Sequence, residues 1–258
     1  MESFLSCLGG VRRECRKQTM TKTKFDRATA VQAALLEQAV AEKAISFSRF
    51  FKAGPGEYAE GDQFLGVTVP DQRKIARQFR ELPPAEIQQL LKNPYHECRL
   101  TGVLILVSQF EHARTESDRK LLYDFYLTHV NCINNWDLVD SSAPKIVGSF
   151  LWQKNHQPLF KLARTNHLWK NRIAIVATQY FIKHGQPETT LELAELLLNH
   201  RHDLIHKAVG WMLREVGEKN QPRLFAFLNQ HVSQMPRTML RYAIEKLPES
   251  KRQSFLKK

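Results

Sequence analysis

The chain has 258 residues, of which 43% are hydrophobic, so it is long enough to bury the core of one large domain or two small ones. No apolar run approaches the roughly 18 residues that a membrane span needs, and the four cysteines lack C-x-x-C spacing, which argues against a zinc site or a disulfide framework.

The net charge of +12 is uneven. Residues 151–258 contain 18 Lys and Arg against 8 Asp and Glu, and residues 1–150 are nearly neutral. A half this basic favours a polyanionic partner, although a merely soluble, basic surface is the alternative.

The first elements in chain order are a tail and a helix. We predict a disordered N-terminal tail over residues 1–24, with Met20 as an alternative start, and a single helical-repeat domain over residues 25–258. The periodicity of residues 26–52 predicts one long amphipathic helix, whose apolar face carries Ala28, Val31, Ala34, Leu35, Ala39 and Ile45.

A Gly-rich turn over residues 54–62 and a short extended segment over residues 66–69 come next, and Pro70 suits the first turn of the following helix. Beyond it, apolar helical periods alternate with turns, and no β-hairpin signal is present. The fold class predicted is therefore all-α.

An internal repeat divides these helices into pairs. Positions 99, 136, 172, 207 and 241 are spaced by 34 to 37 residues, the length of a two-helix unit. Such pairs bury their apolar faces by stacking, so we predict a curved superhelical solenoid of antiparallel helix pairs, with unrelated helix pairs as the alternative. One face would then carry cations and aromatic residues: Arg99, Trp136, Arg172, Lys207, Trp211 and Arg241. A groove of this charge suits the phosphates of a nucleic-acid duplex.

The segment around Trp136 and Asp140 is the first candidate for chemistry. The two residues are four apart and share one helix face. An indole face and a carboxylate side by side both attract a developing positive charge. The structural alternative is that Trp136 belongs to the core and Asp140 caps the next helix.

Two further segments carry cations at helix starts. Arg172 follows Leu168-Trp169 and can bind a phosphate with two nitrogens, or form a surface salt bridge. Trp211 lies four residues after Lys207 and three before Arg214. Gly210 within this helix indicates a close approach to the backbone, by a ligand or by another helix.

The remaining polar clusters match no metal-binding or catalytic motif. His200, His202 and His206 lie close together, but no accompanying cysteine or H-E-x-x-H pattern supports a metal site. Lys145 and Lys183 are interpreted as solvated cations. We therefore predict no metal and no cofactor.

The three segments together resemble the AlkD-like family of DNA alkylation repair glycosylases. The resemblance rests on a Trp-Asp-x-x-Asp helix at 136–140, a Trp-x-x-Arg helix start at 169–172, and Lys-Ala-x-Gly-Trp-x-Leu-Arg-Glu at 207–215. It runs from about Phe25 to the C-terminus and includes residues 66–73. The Gly-rich turn and the N-terminal tail depart from the pattern of some relatives.

The resemblance implies a HEAT-like helical solenoid that wraps duplex DNA and excises cationic N3- and N7-alkylpurines. It implies that Asp140 is the catalytic carboxylate, that Trp136 and Trp211 flank the sugar of the lesion nucleotide, and that Arg172 holds the neighbouring phosphate. Lys207, Arg214 and Arg241 are the further phosphate-binding residues that we expect.

The expected partner is double-stranded DNA containing alkylated purines. We expect a cytoplasmic monomer, associated with the nucleoid if the source is bacterial, with no membrane contact. Two other functions stay open at this point. One is a non-catalytic repeat protein that binds damaged or branched DNA, and the other is an adaptor for an acidic protein. The sequence does not decide whether the base is flipped.

Overall fold

A computed structural model of the protein describes residues 27–257, and the predicted tail of residues 1–24 lies outside this range. The predicted all-α class is confirmed: the described residues contain no β-strand, only a single bridge between Gln63 and Tyr95. They divide into two compact units that separate between Gln109 and Phe110, and the single domain predicted for residues 25–258 stays a prediction. Within the same range, no helix combines the length and apolar character that crossing a bilayer requires.

The first unit is built from short helices. They are α1 (Ala28–Leu36), α2 (Ala41–Phe50), α3 (Val69–Gln78), α4 (Pro84–Leu91) and the first part of α5 (His96–His112). Helix α1 packs against α3 and α4 through Ala28, Val31 and Leu35, which are all buried. Pro70 lies in the first turn of α3, as predicted, where its missing N–H costs no helical hydrogen bond.

The single long helix predicted for residues 26–52 is wrong. The chain leaves the helix after Leu36 and re-enters it at Ala41, and Val40 between them is extended (φ −132°, ψ 109°). The Val40 amide donates a hydrogen bond to the Leu65 carbonyl at 3.0 Å, a partner outside the helix. Ala39 and Ile45, placed on the apolar face by the sequence pattern, are exposed as a result.

The Gly-rich turn ends at Asp62, which forms a buried ion cluster. Asp62 Oδ1 lies 2.6 Å from Arg99 Nη2, and Arg99 Nη1 donates to the carbonyls of Asn93 and Pro94. The Arg99 side chain is only 6% exposed. Its expected place on a ligand-binding face is therefore wrong, because the side chain is buried and paired with Asp62 inside the first unit.

A second buried carboxylate anchors the extended segment before α3. Glu97 is fully buried and accepts hydrogen bonds from the amides of Leu65, Gly66 and Val67 at 2.8 to 3.3 Å. Gly66 has a φ of +80°, and a Cβ there would lie 2.1 Å from the Val40 carbonyl oxygen. Only glycine suits both conditions.

The second unit contains the remaining helices. They are α6 (Glu116–Thr128), α7 (Trp136–Ala143), α8 (Ser149–Leu151), α9 (Gln157–Ala163), α10 (Leu168–Ala177), α11 (Gln179–Lys183), α12 (Glu188–Leu196), α13 (Asp203–Lys219), α14 (Gln221–His231), α15 (Arg237–Ala243) and α16 (Glu249–Leu256). A 3₁₀ turn (Val130–Cys132) precedes α7, and a π-helical turn (Pro144–Gly148) joins α7 to α8.

The predicted repeat is present in this unit. Helices α7, α10, α13 and α15 pack against one another in succession. Helix α10 is central and buried almost all round, from Asn171 to Ala177, as expected of a helix with neighbours on both sides. Asp140, Arg172, Lys207 and Arg241 are each the fifth residue of their helix. The residue of α7 equivalent to the three cations is therefore Asp140, and not Trp136 as the spacing had indicated.

Glycines allow these helices to approach closely. A Cβ on Gly148 would lie 2.1 Å from the Ala177 carbonyl oxygen, and a Cβ on Gly210 would lie 2.5 Å from that of Met239. Of the two explanations considered for Gly210, the structure supports packing against another helix. Helix α15 approaches α13 at this point because no side chain intervenes.

Candidate functional site

Helix α7 presents Trp136 and Asp140, and Asn135 defines its start. Asn135 is extended and fully buried, and its Oδ1 accepts a hydrogen bond from the Trp136 amide at 2.7 Å. Asp137, in the same first turn, accepts from the Leu138 amide at 2.9 Å. Since Trp136 and Asp140 are one turn apart, both side chains leave α7 on one face, and both are partly exposed.

Asp140 forms a two-pronged ion pair with Arg172 of α10. Arg172 Nε donates to Asp140 Oδ1 at 2.9 Å, and Nη2 donates to Oδ2 at 2.6 Å. The third guanidinium nitrogen, Nη1, donates to the Leu204 carbonyl at 2.6 Å, in the first turn of α13. One arginine therefore links three successive repeat helices and holds the carboxylate in a single orientation.

This arrangement differs from the role expected for Arg172. Its side chain is 6% exposed, and all three of its nitrogens donate hydrogen bonds within the protein. The expected contact with a phosphate stays a prediction. The contact that the structure describes is the one with Asp140, whose side chain is 19% exposed.

Burial raises the pKa of Asp140 above the ordinary carboxyl value of 3.8, and the guanidinium of Arg172 opposes this effect by favouring the ionised form. The folded protein thus binds this proton more tightly than the unfolded chain does. The contribution of Asp140 to the free energy of unfolding therefore falls as the pH rises from the unfolded pKa through the folded pKa.

Replacing Arg172 by glutamine is expected to raise the pKa of Asp140 further, because the charge that lowers it is lost and the burial remains. Arg172→Lys, which keeps a positive charge, is the matched control and should raise it less. Carbon NMR titration of the Asp140 carboxyl measures both values. Equal pKa values in the wild type and Arg172→Gln would contradict this account of the ion pair.

The other predicted site residues lie on α13 and α15. Trp211 is partly buried, and its Nε1 donates to Glu215 Oε1 at 2.9 Å. Lys207 Nζ pairs with Asp203 Oδ2 at 2.7 Å. Lys207 lies about one helical turn and Trp211 about two turns beyond Leu204, whose carbonyl accepts from Arg172.

Arg214 and Arg241 complete the predicted set. Arg214 of α13 pairs with Glu245, which follows α15, and its side chain is 19% exposed. Arg241 of α15 is exposed. The roles predicted for these cations in phosphate binding stay predictions, and Arg241 is the more accessible of the two.

The three histidines set aside in the sequence support the start of α13. His202 Nδ1 accepts a hydrogen bond from the Leu204 amide at 3.1 Å, and His200 Nδ1 accepts from the His202 amide at 3.0 Å. His200 Nε2 then lies 3.2 Å from Asn171 Oδ1, next to Arg172 in the chain. His206 Nε2 contacts the His200 carbonyl. Burial lowers the pKa of both His200 and His202, which favours the neutral forms that these contacts require.

A pocket of about 390 Å³ opens beside Asp140 in the second unit. Its basic and polar lining comes from α6, the π-helical turn and α11, and includes Arg119, Lys145, Gln179, Tyr180 and Lys183. The sequence pattern predicts solvated cations at Lys145 and Lys183, and it does not mark Arg119 or Tyr180 as site residues. Helical periodicity does not single out these residues, because α6, the π-helical turn and α11 are separate segments that meet only in the folded second unit.

The π-helical turn also shapes this pocket. Pro144 lies four residues after Asp140 and has no N–H to donate to the Asp140 carbonyl, so a regular helix cannot continue there. The chain forms wider turns from Pro144 to Gly148 instead, a feature that often marks functional sites. Gly148 at its end lies against the backbone of Ala177, so this turn packs closely on the end of α10.

Comparison with known proteins identifies the family of the chain and a similar fold. The family model described as DNA alkylation repair enzyme matches residues 31–247. The fold is similar to the solved structure of a predicted DNA alkylation repair enzyme from Enterococcus faecalis, with a TM-score of 0.62 and 16% identity over 82% of this chain and 98% of that one. No curated protein matches the chain. A match over most of the chain places it in a family that acts in DNA repair: the protein belongs to the DNA alkylation repair enzymes.

Proposed function

We propose that this protein is a DNA glycosylase that hydrolyses the N-glycosidic bond of cationic N3- and N7-alkylpurines in duplex DNA. The observation that carries the proposal is the Asp140 carboxylate, which Arg172 orients with two hydrogen bonds beside Trp136 on the same helix. A half-buried carboxylate next to an aromatic face suits a site where positive charge develops on a sugar.

The chemistry requires only one carboxylate. An ordinary glycosidase uses a second carboxyl group to protonate the leaving group. An alkylated purine already carries a positive charge and leaves as a neutral base, so no general acid is needed. Asp140 would stabilise the sugar cation that forms and orient the attacking water, and Trp136 and Trp211 would cover the sugar with their ring faces.

The ion pair explains how Asp140 can be both buried and charged. Burial alone would favour the protonated acid, which cannot stabilise a cation. The guanidinium of Arg172 favours the ionised form and so limits the rise of the Asp140 pKa, and its fork fixes the direction of the carboxylate oxygens. Because Arg172 also binds the Leu204 carbonyl, the position of Asp140 depends on the packing of α7, α10 and α13.

Release of the modified base from DNA tests this function. We expect the purified protein to release 3-methyladenine or 7-methylguanine from a methylated duplex, which mass spectrometry of the soluble fraction detects. The unmodified duplex is the control and should yield no free base. Binding to methylated duplex without any base release would favour the non-catalytic DNA-binding protein, and failure of short duplex DNA to bind at all would favour the adaptor for an acidic protein.

A further inference from the structure

The turn of residues 200–204 at the start of α13 is bound to two adjacent residues of α10. Arg172 Nη1 donates to the Leu204 carbonyl at 2.6 Å, and His200 Nε2 lies 3.2 Å from Asn171 Oδ1. Asn171 is buried, and its side-chain nitrogen donates to three backbone carbonyls around the end of α9 at 2.9 to 3.0 Å. Asn171 is therefore a fixed point on α10, and the turn that it holds determines where the Leu204 carbonyl meets Arg172.

Two histidines connect these contacts through one path of hydrogen bonds. The Leu204 amide donates to His202 Nδ1 at 3.1 Å, and the His202 amide donates to His200 Nδ1 at 3.0 Å. Because Nδ1 of both neutral rings accepts, the proton of each ring is on Nε2. This tautomer lets His200 donate to Asn171 Oδ1. The path leaves α10 at Arg172 and returns to it one residue earlier, and the neutral form of both rings satisfies every step.

Protonation would reverse the role of both Nδ1 atoms. A charged imidazole carries a proton on each nitrogen, so Nδ1 would face the amide that now donates to it and the hydrogen bond would be lost. A pocket of about 470 Å³ opens at this turn, and its lining includes His167, His200, Arg201 and His202. The pocket gives solvent protons access to the two rings.

The surroundings of the two rings favour their neutral forms. Burial is the main cause that lowers the pKa of His200 and of His202 below the ordinary value of 6.5. His202 and His206 add to this effect at His200. At His202 one carboxylate opposes three basic groups: Asp203 against His206, Arg172 and Lys207. The folded protein thus binds these protons more weakly than the unfolded chain, so the stability that the path contributes is lost as the pH falls from 6.5 through the folded pKa values.

We propose that His202 is a positioning residue for base release: in its neutral form it holds the Leu204 carbonyl against Arg172, and Arg172 then holds Asp140 in one orientation. His202 acts through Arg172 and is assigned no contact with the DNA. His200 fixes His202 to Asn171, and protonation of either ring releases the turn, so base release slows in acid. The inference rests on the proposed function, since it takes Asp140 as the group that acts on the sugar.

Two variants of His202 separate the hydrogen bond from the titration. Asparagine is a preferred residue at the start of a helix, and its Oδ1 can accept from the Leu204 amide without gaining a proton. His202→Ala removes the acceptor and is expected to slow single-turnover release of 7-methylguanine at neutral pH by roughly ten- to a hundredfold, since a displacement of about 1 Å can cost about 10²-fold. His202→Asn should keep the neutral rate and, with one titrating histidine fewer, lose less of it in acid.

Nitrogen NMR of the Arg172 guanidinium tests the positioning without any reaction. A guanidinium held at three nitrogens rotates slowly and gives separate Nη signals, and loss of the Leu204 contact lets them exchange. We expect merged signals in His202→Ala and separate signals in His202→Asn at neutral pH. Asn220→Ala removes the side chain that caps α14 through the Arg223 amide, and as the control for a lost helix cap it should keep the wild-type signals and rate.

A purely structural role of His202 would give a different result. Separate Arg172 signals and a wild-type rate in His202→Ala, with only a lower melting temperature, would overturn the proposal. An identical loss of rate in acid for the wild type and His202→Asn would overturn it as well, and this comparison decides if His202→Ala does not fold. If the wild type releases no base, the proposed function fails, and the NMR comparison still shows whether His202 positions Arg172.

Discussion

Asp140→Asn is expected to lower the rate of base release from methylated duplex by roughly 10²- to 10³-fold, while duplex binding stays within a few-fold of the wild type. Asparagine is similar in shape but carries no charge, so the stabilisation of the sugar cation is lost. Removal of one preorganised electrostatic group of this kind typically costs about 3–4 kcal/mol. Single-turnover release of 7-methylguanine, measured by mass, gives the rate of the chemical step.

Asp140→Asn also affects the stability of the fold, because it breaks the ion pair with Arg172. Asparagine leaves the guanidinium of Arg172 buried without its counter-charge, and breaking a buried pair in this way costs about 3–5 kcal/mol of stability. Asp140→Asn combined with Arg172→Gln removes both charges and should recover part of the melting temperature without recovering excision. Recovery of the melting temperature without recovery of excision would separate the chemical role of Asp140 from its structural role.

A matched control uses a carboxylate on the surface of the same unit. Asp124 of α6 is 49% exposed and pairs with Lys120 in the same helix, an arrangement worth at most about 1 kcal/mol. Asp124→Asn should therefore excise at the rate of the wild type. If Asp140→Asn kept that rate as well, Asp140 would not be the catalytic carboxylate.

Gly210→Ala is expected to destabilise the second unit by about 2 kcal/mol or more. The added Cβ would lie 2.5 Å from the Met239 carbonyl oxygen and 2.5 Å from the Tyr242 Cβ, so helix α15 has to move away from α13. Overpacking costs about 1–3 kcal/mol and sometimes more, and a clash with a backbone carbonyl, which cannot rotate away, places Gly210→Ala at about 3 kcal/mol or above. The gain in helix propensity, about 1 kcal/mol, offsets only part of it.

Gly217 provides the control, because it belongs to the same helix. A Cβ there would meet the Leu224 side chain at 2.4 Å, and the nearest atom is a terminal methyl group that can rotate away. We expect a melting temperature some 4–8 °C lower for Gly210→Ala, at roughly 2–4 °C per kcal/mol, and a much smaller change for Gly217→Ala. Equal melting temperatures for the two variants would show that α13 and α15 do not pack as closely as described.

The local features of the fold could be predicted well from the chain. Helical periodicity predicted the all-α class, because a helix that buries one face carries apolar residues at a regular spacing whichever helix it packs against. The 34- to 37-residue spacing predicted the repeat. The position of Trp136 and Asp140 on one face also followed from the sequence, since the geometry of a single helix determines it. Where a backbone partner intervened, as at Val40, the same periodicity was misleading and joined two helices into one.

Cation partners could not be predicted in this way. Arg99 and Arg172 both begin apolar helices and appeared equivalent, yet one is buried against Asp62 in the first unit and the other holds Asp140 in the second. An arginine reaches acidic groups 32 or 37 residues away in the chain, and periodicity contains no information on which one it meets. Lys183, interpreted as a solvated cation, lines a pocket for the same reason.

The sequence by itself determined that this protein is a helical repeat with a carboxylate and an indole on one helix face. Periodicity is sufficient to predict these two features, because the spacing of residues along the chain determines which side chains share a helix face and where each helix pair repeats. Only the tertiary structure decided that Arg172 orients Asp140, that histidines cap α13 and that a basic pocket adjoins the carboxylate. The ion pair and the pocket bring together side chains from different helices, and only the packing of the whole unit decides which helices meet.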